Sequence, residues 1–339
     1  VNSKQHITWT AHGTIPKVVI TYSDDGGTTW PYTVIAETSG AGGLYEWTIP
    51  NNPKTTCKVR VADTRKPETV YDISPQNFKI IGSLTLTAPA VGAEWAVGGD
   101  QEKITWDVTG AISRVKLELS TDAVTNYNYL ITDSASGLGK EFYWDIPLNK
   151  CSPTAKIKIT DYNDSEVFYE MPGTFKLQPT FDITNPLVGQ IYTVKSNCAI
   201  AWTTVGTVPN VRLEYSSNGG TSYTDITASV GNSGTYSWEV PDTISDQVTV
   251  KVSDTRDHDA DFETGTFGIK GVLSLTSPVT GNSWIALSTH PITWNVTGSI
   301  SKVKLEYSLD GGGNWISIAS DVTASLKTYS WKLPANISN

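Results

Sequence analysis

Two kinds of short segment hold the side chains of this sequence that could do chemistry. Ser23–Trp30 reads SDDGGTTW and Ser308–Trp315 reads SLDGGGNW, so Ser, Asp, Gly and Trp recur at one spacing. Ser253–Glu263 reads SDTRDHDADFE and places five carboxylates in eleven residues. Paired carboxylates can hydrolyse a glycosidic bond, and crowded carboxylate oxygens are ligands that Ca²⁺ prefers. The sequence therefore raises two possibilities, sugar cleavage and calcium binding.

The Ser-x-Asp-x-Gly-x-x-Trp segments resemble Asp-boxes, the turns on the blades of sialidase propellers. Propeller blades recur about every 40 to 50 residues, whereas these segments recur about every 95. Two related segments, STDAVTNY at Ser120–Tyr127 and SSNGGTSY at Ser216–Tyr223, lose either the glycines or the Asp. Turn chemistry explains every residue type, because Gly adopts positive φ and Asp or Asn bonds its own backbone. We therefore interpret Asp24–Gly27 as a hairpin turn and not as a catalytic site.

The acidic segment offers five candidate calcium ligands in a predicted loop between the last two strands of one repeat. They are Asp254, Asp257, Asp259, Asp261 and Glu263. We expect this loop at the domain pole that faces the preceding repeat, where calcium could stiffen a junction as it does in cadherins. A solvated acidic loop without an ion explains the same residues, because the spacing is not that of an EF-hand. Both interpretations stay open.

Internal repetition decides the fold. The tripeptide ITW, or IAW in one copy, ends at Trp9, Trp106, Trp202 and Trp294, in steps of 97, 96 and 92 residues. A second marker, Trp-x-apolar-Pro, keeps the same period as WTIP, WDIP, WEVP and WKLP. Two independent markers with one period indicate four copies of a single structural unit.

Each copy reads as a set of short, half-buried strands. Segments such as KVVITYS, RVKLELS, NVRLEYS and KVKLEYS place apolar residues at every second position, as strands with one buried face do. Seven or so such strands separated by Gly, Pro, Asn and Asp turns are typical of an immunoglobulin-like sandwich, with the ITW tryptophan in the core. The sequence therefore predicts an all-β chain of tandem immunoglobulin-like β-sandwich domains in an extended rod.

Four domains are predicted, with linkers of two or three residues that hold neighbours at a nearly fixed angle. They are repeat 1 (1–82), repeat 2 (83–179), repeat 3 (180–271) and repeat 4 (272–339). Repeat 1 lacks an opening strand and repeat 4 lacks its two closing strands. We therefore expect the natural chain to continue, and the end of repeat 4 to be a cut, a truncation or a site that a neighbouring chain completes.

Composition excludes several classes of function. A net charge of −9, with no basic stripe, argues against nucleic-acid binding. No apolar run approaches the roughly 18 residues of a membrane span. The four His residues lack metal-ligand spacing, and no phosphate loop or nucleophile elbow occurs. The three Cys residues fit neither a disulfide framework nor a Cys-x-x-Cys site. We therefore predict that the protein is not an enzyme.

Three Asn residues match the N-glycosylation triplet, Asn163, Asn295 and Asn336. The triplet matters only if the protein is secreted into a compartment that uses it.

The run SPVTGNSW…ITWNVTGSISKVKLEYSLDGG resembles the tandem immunoglobulin-like repeats of microbial cell-surface proteins, including surface-layer proteins. It is also similar to the extracellular domain of the Ser/Thr-rich wall-anchored fungal family. The resemblance covers all four repeats, but its residues are mostly core and turn. A surface-layer likeness implies self-assembly of identical chains into a lattice, frequently with Ca²⁺ and glycans.

We hypothesise a structural protein of the extracellular cell surface whose stiff repeats assemble with identical chains into a protective lattice, with cell-wall or surface glycans as further partners. The alternative is an adhesin stalk or a carbohydrate-binding spacer of a larger secreted or surface protein. The second hypothesis predicts a catalytic or ligand-binding domain elsewhere in the gene.

Overall fold

The computed structural model describes residues 1–123 and 126–335 of the chain, as strands with short 3₁₀ helices between them. The prediction of an all-β fold built from tandem immunoglobulin-like sandwiches is confirmed. Contacts divide the chain into two compact units, Val1–Gln178 and Pro179–Asn339. This division lies within one residue of the predicted limit between repeats 2 and 3. The predicted limits after Gly82, Pro179 and Gly271 stay predictions, and each lies between consecutive strands.

In the first unit, repeat 1 contains β1 (Lys4–Thr8), β2 (Lys17–Ser23), β3 (Tyr32–Ser39), β4 (Leu44–Thr48), β5 (Lys54–Asp63), β6 (Tyr71–Ile73) and β7 (Phe78–Ile80). Repeat 2 contains β8 (Ser83–Ala88), β9 (Glu94–Ala96), β10 (Glu102–Thr109), β11 (Arg114–Ser120), β12 (Tyr129–Ser136), β13 (Glu141–Trp144), β14 (Ser152–Asp161), β15 (Phe168–Glu170) and β16 (Phe175–Gln178). The 3₁₀ helices of this unit are Gly40–Gly42, Gly137–Gly139 and Leu148–Lys150.

In the second unit, repeat 3 contains β17 (Thr180–Asn185), β18 (Ile191–Thr193), β19 (Asn197–Val205), β20 (Asn210–Ser216), β21 (Thr224–Gly231), β22 (Thr235–Glu239), β23 (Ser245–Asp254), β24 (Asp257–Glu263) and β25 (Phe267–Lys270). Repeat 4 contains β26 (Val272–Ser277), β27 (Thr289–Thr297), β28 (Lys302–Tyr307), β29 (Ile316–Thr323) and β30 (Thr328–Lys332), with a 3₁₀ helix at Ala324–Leu326.

Repeats 2 and 3 are sandwiches of the same topology. One sheet has the order β13-β10-β8, or β17-β19-β22 in repeat 3, and the other is built on β12-β11-β14-β16-β9, or β21-β20-β23-β25-β18. The alternating strands turn their apolar side chains inward: Val115, Leu117 and Leu119 of β11 are fully buried. One apolar cluster lies between the two sheets of each repeat.

The ITW tryptophan lies in the core of repeats 2, 3 and 4 and satisfies its own donor. Trp106 is 1% exposed, and its indole N–H donates to the Gly137 carbonyl at 3.0 Å. Trp202 donates instead to the side chain of Asn232 at 2.7 Å. A buried indole needs such an acceptor because an unpaired N–H in the core is costly. The core role predicted for this tryptophan is therefore confirmed in repeats 2, 3 and 4 but not in repeat 1, where Trp9 lies outside the core cluster.

Repeats 1 and 4 bury less. In repeat 1, β1 pairs only with β4 among the described residues, and the tryptophan that follows it, Trp9, is only half-buried. In repeat 4, the first strand β26 leaves Leu273 and Leu275 more than half exposed. Their counterparts in repeat 2, Leu84 and Leu86, are buried beneath β14 and β15. The two outer repeats therefore present apolar strand faces that the inner repeats cover.

This difference predicts unequal costs for one substitution made in two repeats. Trp106→Ala should destabilise repeat 2 by about 3 to 5 kcal/mol, because it leaves a large cavity beneath a complete sandwich. Trp9→Ala should cost less, because the ring is already partly in water. Hydrogen exchange of the amides of each repeat, followed in increasing urea, measures both. Equal losses of protection in the two variants would contradict the partial exposure of Trp9 in repeat 1.

Candidate functional site

The Asp-box of repeat 1 is a hydrogen-bonded turn. The Ser23 hydroxyl donates to Asp25 Oδ1 at 2.6 Å and accepts from the Gly27 amide at 2.8 Å. The amide and hydroxyl of Thr29 donate to the two Asp25 oxygens at 2.9 and 2.6 Å. Gly26 and Gly27 have φ values of 76° and 92°, which favour glycine. The Asp25 carboxylate therefore accepts hydrogen bonds from residues of its own turn, as the turn interpretation predicts.

The other repeats preserve this turn even where the Asp is absent. In repeat 4, Ser308 and Asp310 repeat the same bonds, at 2.7 Å between their side chains. In repeat 3, the amide oxygen of Asn218 accepts from Ser216 at 2.7 Å and from the Ser222 amide at 3.0 Å. An uncharged amide oxygen therefore accepts the same hydrogen bonds as the carboxylate oxygen. In repeat 2, only part of the turn lies within the described residues.

The bonds in these turns set the acidity of the aspartates. The hydroxyl of Ser23, followed by the hydroxyl and amide of Thr29, holds the pKa of Asp25 well below its ordinary range. Ser308 and Asn314 lower the pKa of Asp310 in the same way. A catalytic general acid requires a raised pKa. These aspartates are therefore suited to turn formation and not to proton donation.

The acidic segment Ser253–Glu263 forms a hairpin, so the prediction of a loop is wrong. β23 ends at Asp254, and β24 pairs with it in antiparallel register over Asp257–Glu263. Ala260 is buried whereas Asp259 and Asp261 are exposed, so the carboxylates line the outer face of β24. Asp has a low strand propensity, and here the pairing with β23 and the burial of alternate apolar residues override it.

This hairpin separates the predicted calcium ligands. Asp254 is 2% exposed and forms a bidentate ion pair with Arg256, whose Nη2 and Nε atoms lie 2.7 and 3.1 Å from it. The other four, Asp257, Asp259, Asp261 and Glu263, lie along β24. Within the described part of the chain, no three His, Cys, Asp or Glu side chains are grouped so that they could hold a metal ion. Calcium binding by this segment stays a prediction.

A charged and aromatic network covers the same face of repeat 3. The buried Glu214 forms two ion pairs: its Oε1 lies 3.0 Å from Arg212 Nη2, and its Oε2 lies 3.4 Å from Lys251 Nζ. That ammonium also lies 4.0 Å above the centre of the Tyr223 ring. Burial, followed by a hydrogen bond to Glu263, raises the pKa of Tyr223 to about 12. The phenol therefore stays neutral at physiological pH and donates its hydrogen bond to Glu263. The network is a set of polar contacts within one repeat that stabilises its fold.

Within the first unit, repeats 1 and 2 meet through a lysine. Lys79 Nζ lies 2.6 Å from Glu166 Oε2 and 3.4 Å from Asp164 Oδ1. Both carboxylates belong to the segment of repeat 2 that corresponds to the acidic hairpin of repeat 3. This segment therefore faces the preceding repeat as expected, with an ammonium group at the contact. Lys79 could not be recognised from sequence, because its partners lie 85 and 87 residues away.

The same contact contains a glycine that admits no side chain. A Cβ atom on Gly82 would lie 2.6 Å from the Thr109 carbonyl oxygen and 2.8 Å from Ile112 Cδ1. Gly110, at φ 99°, brings its backbone close to Gly82 and to the Pro53 ring. Close backbone packing therefore joins the end of repeat 1 to the start of repeat 2.

The second unit repeats this arrangement between repeats 3 and 4. A Cβ atom on Gly271 would lie 2.7 Å from Ile300 Cγ1 and 2.9 Å from the Thr297 carbonyl oxygen. An additional bond is present here: Asp242 accepts from the backbone amide of Ser299 at 2.6 Å and from its hydroxyl at 2.8 Å. The close packing at Gly82 and at Gly271 has a common sequence signal, the repeated segments VTGAIS and VTGSIS.

Two predicted glycosylation sites lie on the surface. Asn163 is exposed in the segment after β14, and Asn295 is exposed on β27. Asn336 lies outside the described residues. Modification of these sites stays a prediction.

Comparison with known proteins identifies no family: no family model and no curated protein matches the chain. Among solved structures, the chain is similar to the fibronectin(III)-like modules of Clostridium thermocellum CbhA, at 16% identity over 55% of this chain and 94% of that chain, with a TM-score of 0.21. It is also similar to three N-terminal domains of the bacteriophage RB49 highly immunogenic outer capsid protein, at 13% identity over 79% and 94%, with a TM-score of 0.25. Immunoglobulin domains 1–5 of Sidekick-1 match at 9% identity over 98% and 76%, with a TM-score of 0.28.

The described residues include no helix with the length and hydrophobicity that crossing a membrane requires.

The Asp-box turns should differ in their response to acid. Because the pKa of Asp25 is lower in the folded turn than in the unfolded chain, its carboxylate stabilises the fold above the ordinary Asp value of about 3.9. This contribution is lost as the pH falls below that value. Repeat 1 should therefore lose more stability between about pH 5 and pH 2 in the wild-type chain than in Asp25→Asn, in which the turn acceptor is uncharged as Asn218 is in repeat 3. Hydrogen exchange of repeat 1 in increasing urea at each pH measures this, and equal losses in the two chains would contradict the assignment.

The contacts at the glycines predict a second measurable difference. Gly271→Ala should destabilise repeat 4 by about 1 to 3 kcal/mol, because the methyl group collides with Ile300 and a backbone carbonyl. Gly82→Ala should have the same effect on repeat 2. Gly231→Ala is the matched control, because nothing lies within 4 Å of the added atom and its φ is not positive. Thermal unfolding with hydrogen-exchange readout tests the set, and a control as damaging as the two variants would argue against close packing as the cause.

Proposed function

We propose that the chain is a structural protein of the cell surface, whose immunoglobulin-like repeats assemble with identical chains into a surface layer. The observation that carries the proposal is the recurrence of one contact in both units. Gly82 with Ile112 and Gly271 with Ile300 join consecutive repeats by the same close packing. Consecutive repeats that are joined in the same way within each unit present equivalent surfaces, and regular contacts between chains require such surfaces.

The hydrogen bonds and ion pairs that the carboxylates form within the chain support a structural role. Asp25 and Asp310 accept bonds from their own turns, and Asp254 pairs with Arg256. Asp63 pairs with Arg65 in the same way at 2.7 Å. Groups that catalysis would need free are thus engaged in shaping turns and strand ends.

A location outside the cell is part of this proposal. The chain carries a net charge of −9, and its Cys57 and Cys198 thiols are buried and make no disulfide. Such a chain is stabilised by its sandwich cores and not by covalent links. Surface glycans attached at Asn163 or Asn295, and glycans of the cell wall, are the further partners that we propose.

An adhesion-type stalk is the second candidate. The observation that favours it is the aromatic side chain of Trp315, which is 61% exposed on the Asp-box turn of repeat 4. An exposed aromatic ring offers an apolar face to a ligand. A stalk or spacer needs no contacts between identical chains, so the two candidates differ in the state of the purified protein.

Electron microscopy of the purified chain, at increasing concentration and with and without Ca²⁺, tests the proposal. We expect ordered assemblies in at least one of these conditions. Assemblies that form only with Ca²⁺ would support the predicted cation sites, and assemblies that persist in chelator would show that calcium is dispensable. Dispersed monomers in every condition would overturn the surface-layer proposal and favour the stalk.

A further inference from the structure

One edge of the larger sheet of repeat 3 is an apolar strand without a neighbour. β18 (Ile191–Thr193) is the last strand of this sheet, and among the described residues it pairs only with β25, in parallel register. The side chain of Ile191 is 57% exposed, and the loop before it exposes Leu187 and Val188 by 56% and 72%. Natural proteins usually blunt such an edge, because its unpaired backbone groups can bind another strand.

The backbone of β18 presents a donor and an acceptor at this edge. The Gln190 carbonyl accepts a hydrogen bond of 2.8 Å from β25, and the Val194 amide donates one of 3.0 Å to it. Every second residue from Gln190 to Val194 therefore directs its backbone groups toward β25, and the groups of Ile191 and Thr193 point away from it. The Thr193 carbonyl already accepts from Ser196. Ile191 is thus the residue that offers both its amide and its carbonyl to a further strand.

Repeat 2 protects the same edge with charge. β9 takes the place of β18, and Glu94, at the position of Ile191, forms an ion pair of 3.3 Å with Lys176 of β16. Repeat 3 has Ile191 and Gly268 at these two positions. The other edge strand of the same sheet in repeat 3, β21, carries Asp225 and is interrupted by two register shifts. Charges and irregular pairing both discourage the addition of a strand, and the edge of β18 has neither.

The composition of this segment favours a second copy of the chain as the occupant. From Leu187 to Val194 the sequence is LVGQIYTV, which contains no charged residue. Two identical chains with a net charge of −9 repel one another, and pairing through an uncharged segment places no like charges opposite each other. Segments with high β-propensity and no charge or Pro also pair with identical segments.

We propose that β18 pairs in antiparallel register with β18 of a second copy, with Ile191 opposite Ile191 of that copy. The proposal rests on the proposed function and names one contact between identical chains. Opposite residues of an antiparallel pair can exchange both backbone hydrogen bonds, so the amide and carbonyl of each Ile191 satisfy one another. The two Ile191 side chains then lie side by side on the exposed face of a sheet that continues from one copy into the next.

A strand edge that pairs with itself limits the size of the first assembly. Such a contact is isologous and joins copies two by two around a two-fold axis. We therefore expect a dimer as the first species to form when the concentration rises. Growth of this dimer into a layer requires further contacts at other surfaces of the chain.

The test is sedimentation velocity of the 339-residue chain across a range of concentrations, with the variants Ile191→Glu and Ile191→Lys. Each variant should dimerise about tenfold or more weakly than the wild type, because two like charges would lie opposite one another. An equimolar mixture of the two variants should dimerise more strongly than either variant alone, because Glu then faces Lys. A mixture that associates no better than the single variants would overturn the pairing of position 191 with itself.

The controls separate this contact from misfolding and from a general effect of charge. Both variants should fold, because the Ile191 side chain already lies largely in water, and circular dichroism checks this. Leu138→Glu adds the same charge as Ile191→Glu at a 61% exposed position of repeat 2, and it should associate like the wild type.

Hydrogen exchange locates the contact. As the concentration rises, the Ile191 amide should become protected, whereas the Tyr192 and Val194 amides, which face β25, should change little. Wild-type association that both variants preserve would overturn this contact and leave the proposed function intact. Dimers that depend on Ile191 but never grow into ordered assemblies would support the contact and overturn the surface layer. A wild-type chain that stays monomeric at every concentration would overturn both and leave the edge to a strand of another protein.

Discussion

The need to cover one apolar strand face with another determines the structure of this chain. Strands with period-two alternation cannot be stable alone, because one face of each is apolar and one is wet. In repeats 2 and 3 most of these faces are covered, and side chains such as Leu117 and Leu213 are fully buried. Without the covering strand, the same residue types are left half-exposed, as Val59 and Leu273 are. Exposure in this chain therefore reflects which strands are present and not a change in sequence character.

The Asp-box turn depends on the same constraint, because it joins two strands whose register must keep apolar residues inward. Ser23, the turn's first residue, is fully buried at the end of β2, so its hydroxyl must find partners within the protein. The Asp25 carboxylate and the Gly27 amide provide them. The substitution of Asn218 for the aspartate in repeat 3 shows that the turn requires an oxygen acceptor and not a charge. A motif that resembles an enzyme signature is thus explained by hydrogen-bond satisfaction.

Much of the fold could be predicted from the sequence, because repetition and alternation are local patterns. β2, β11 and β20 begin and end at the predicted residues, and the positive φ angles occur at the predicted glycines. The acidic hairpin could not be predicted, since Asp disfavours strands and only pairing with β23 reveals β24. The contacts of Lys79 and of Asp242 were equally inaccessible, because their partners lie 57 to 87 residues away in the sequence. Local sequence patterns therefore specify the individual repeats, and tertiary contacts specify how consecutive repeats within one unit are joined.

The net charge of the chain limits which interactions could favour association between copies. A net charge of −9 makes identical chains repel one another, and salt screens this repulsion beyond about 8 to 10 Å. Exposed ion pairs such as Lys4 with Glu46 are formed within one chain and contribute little. The favourable free energy of association must then come mainly from apolar area removed from water, at roughly 25 cal/mol per Å². Exposed apolar side chains such as Leu275 and Trp315, which are 59% and 61% exposed, provide such area and are therefore best able to overcome the repulsion.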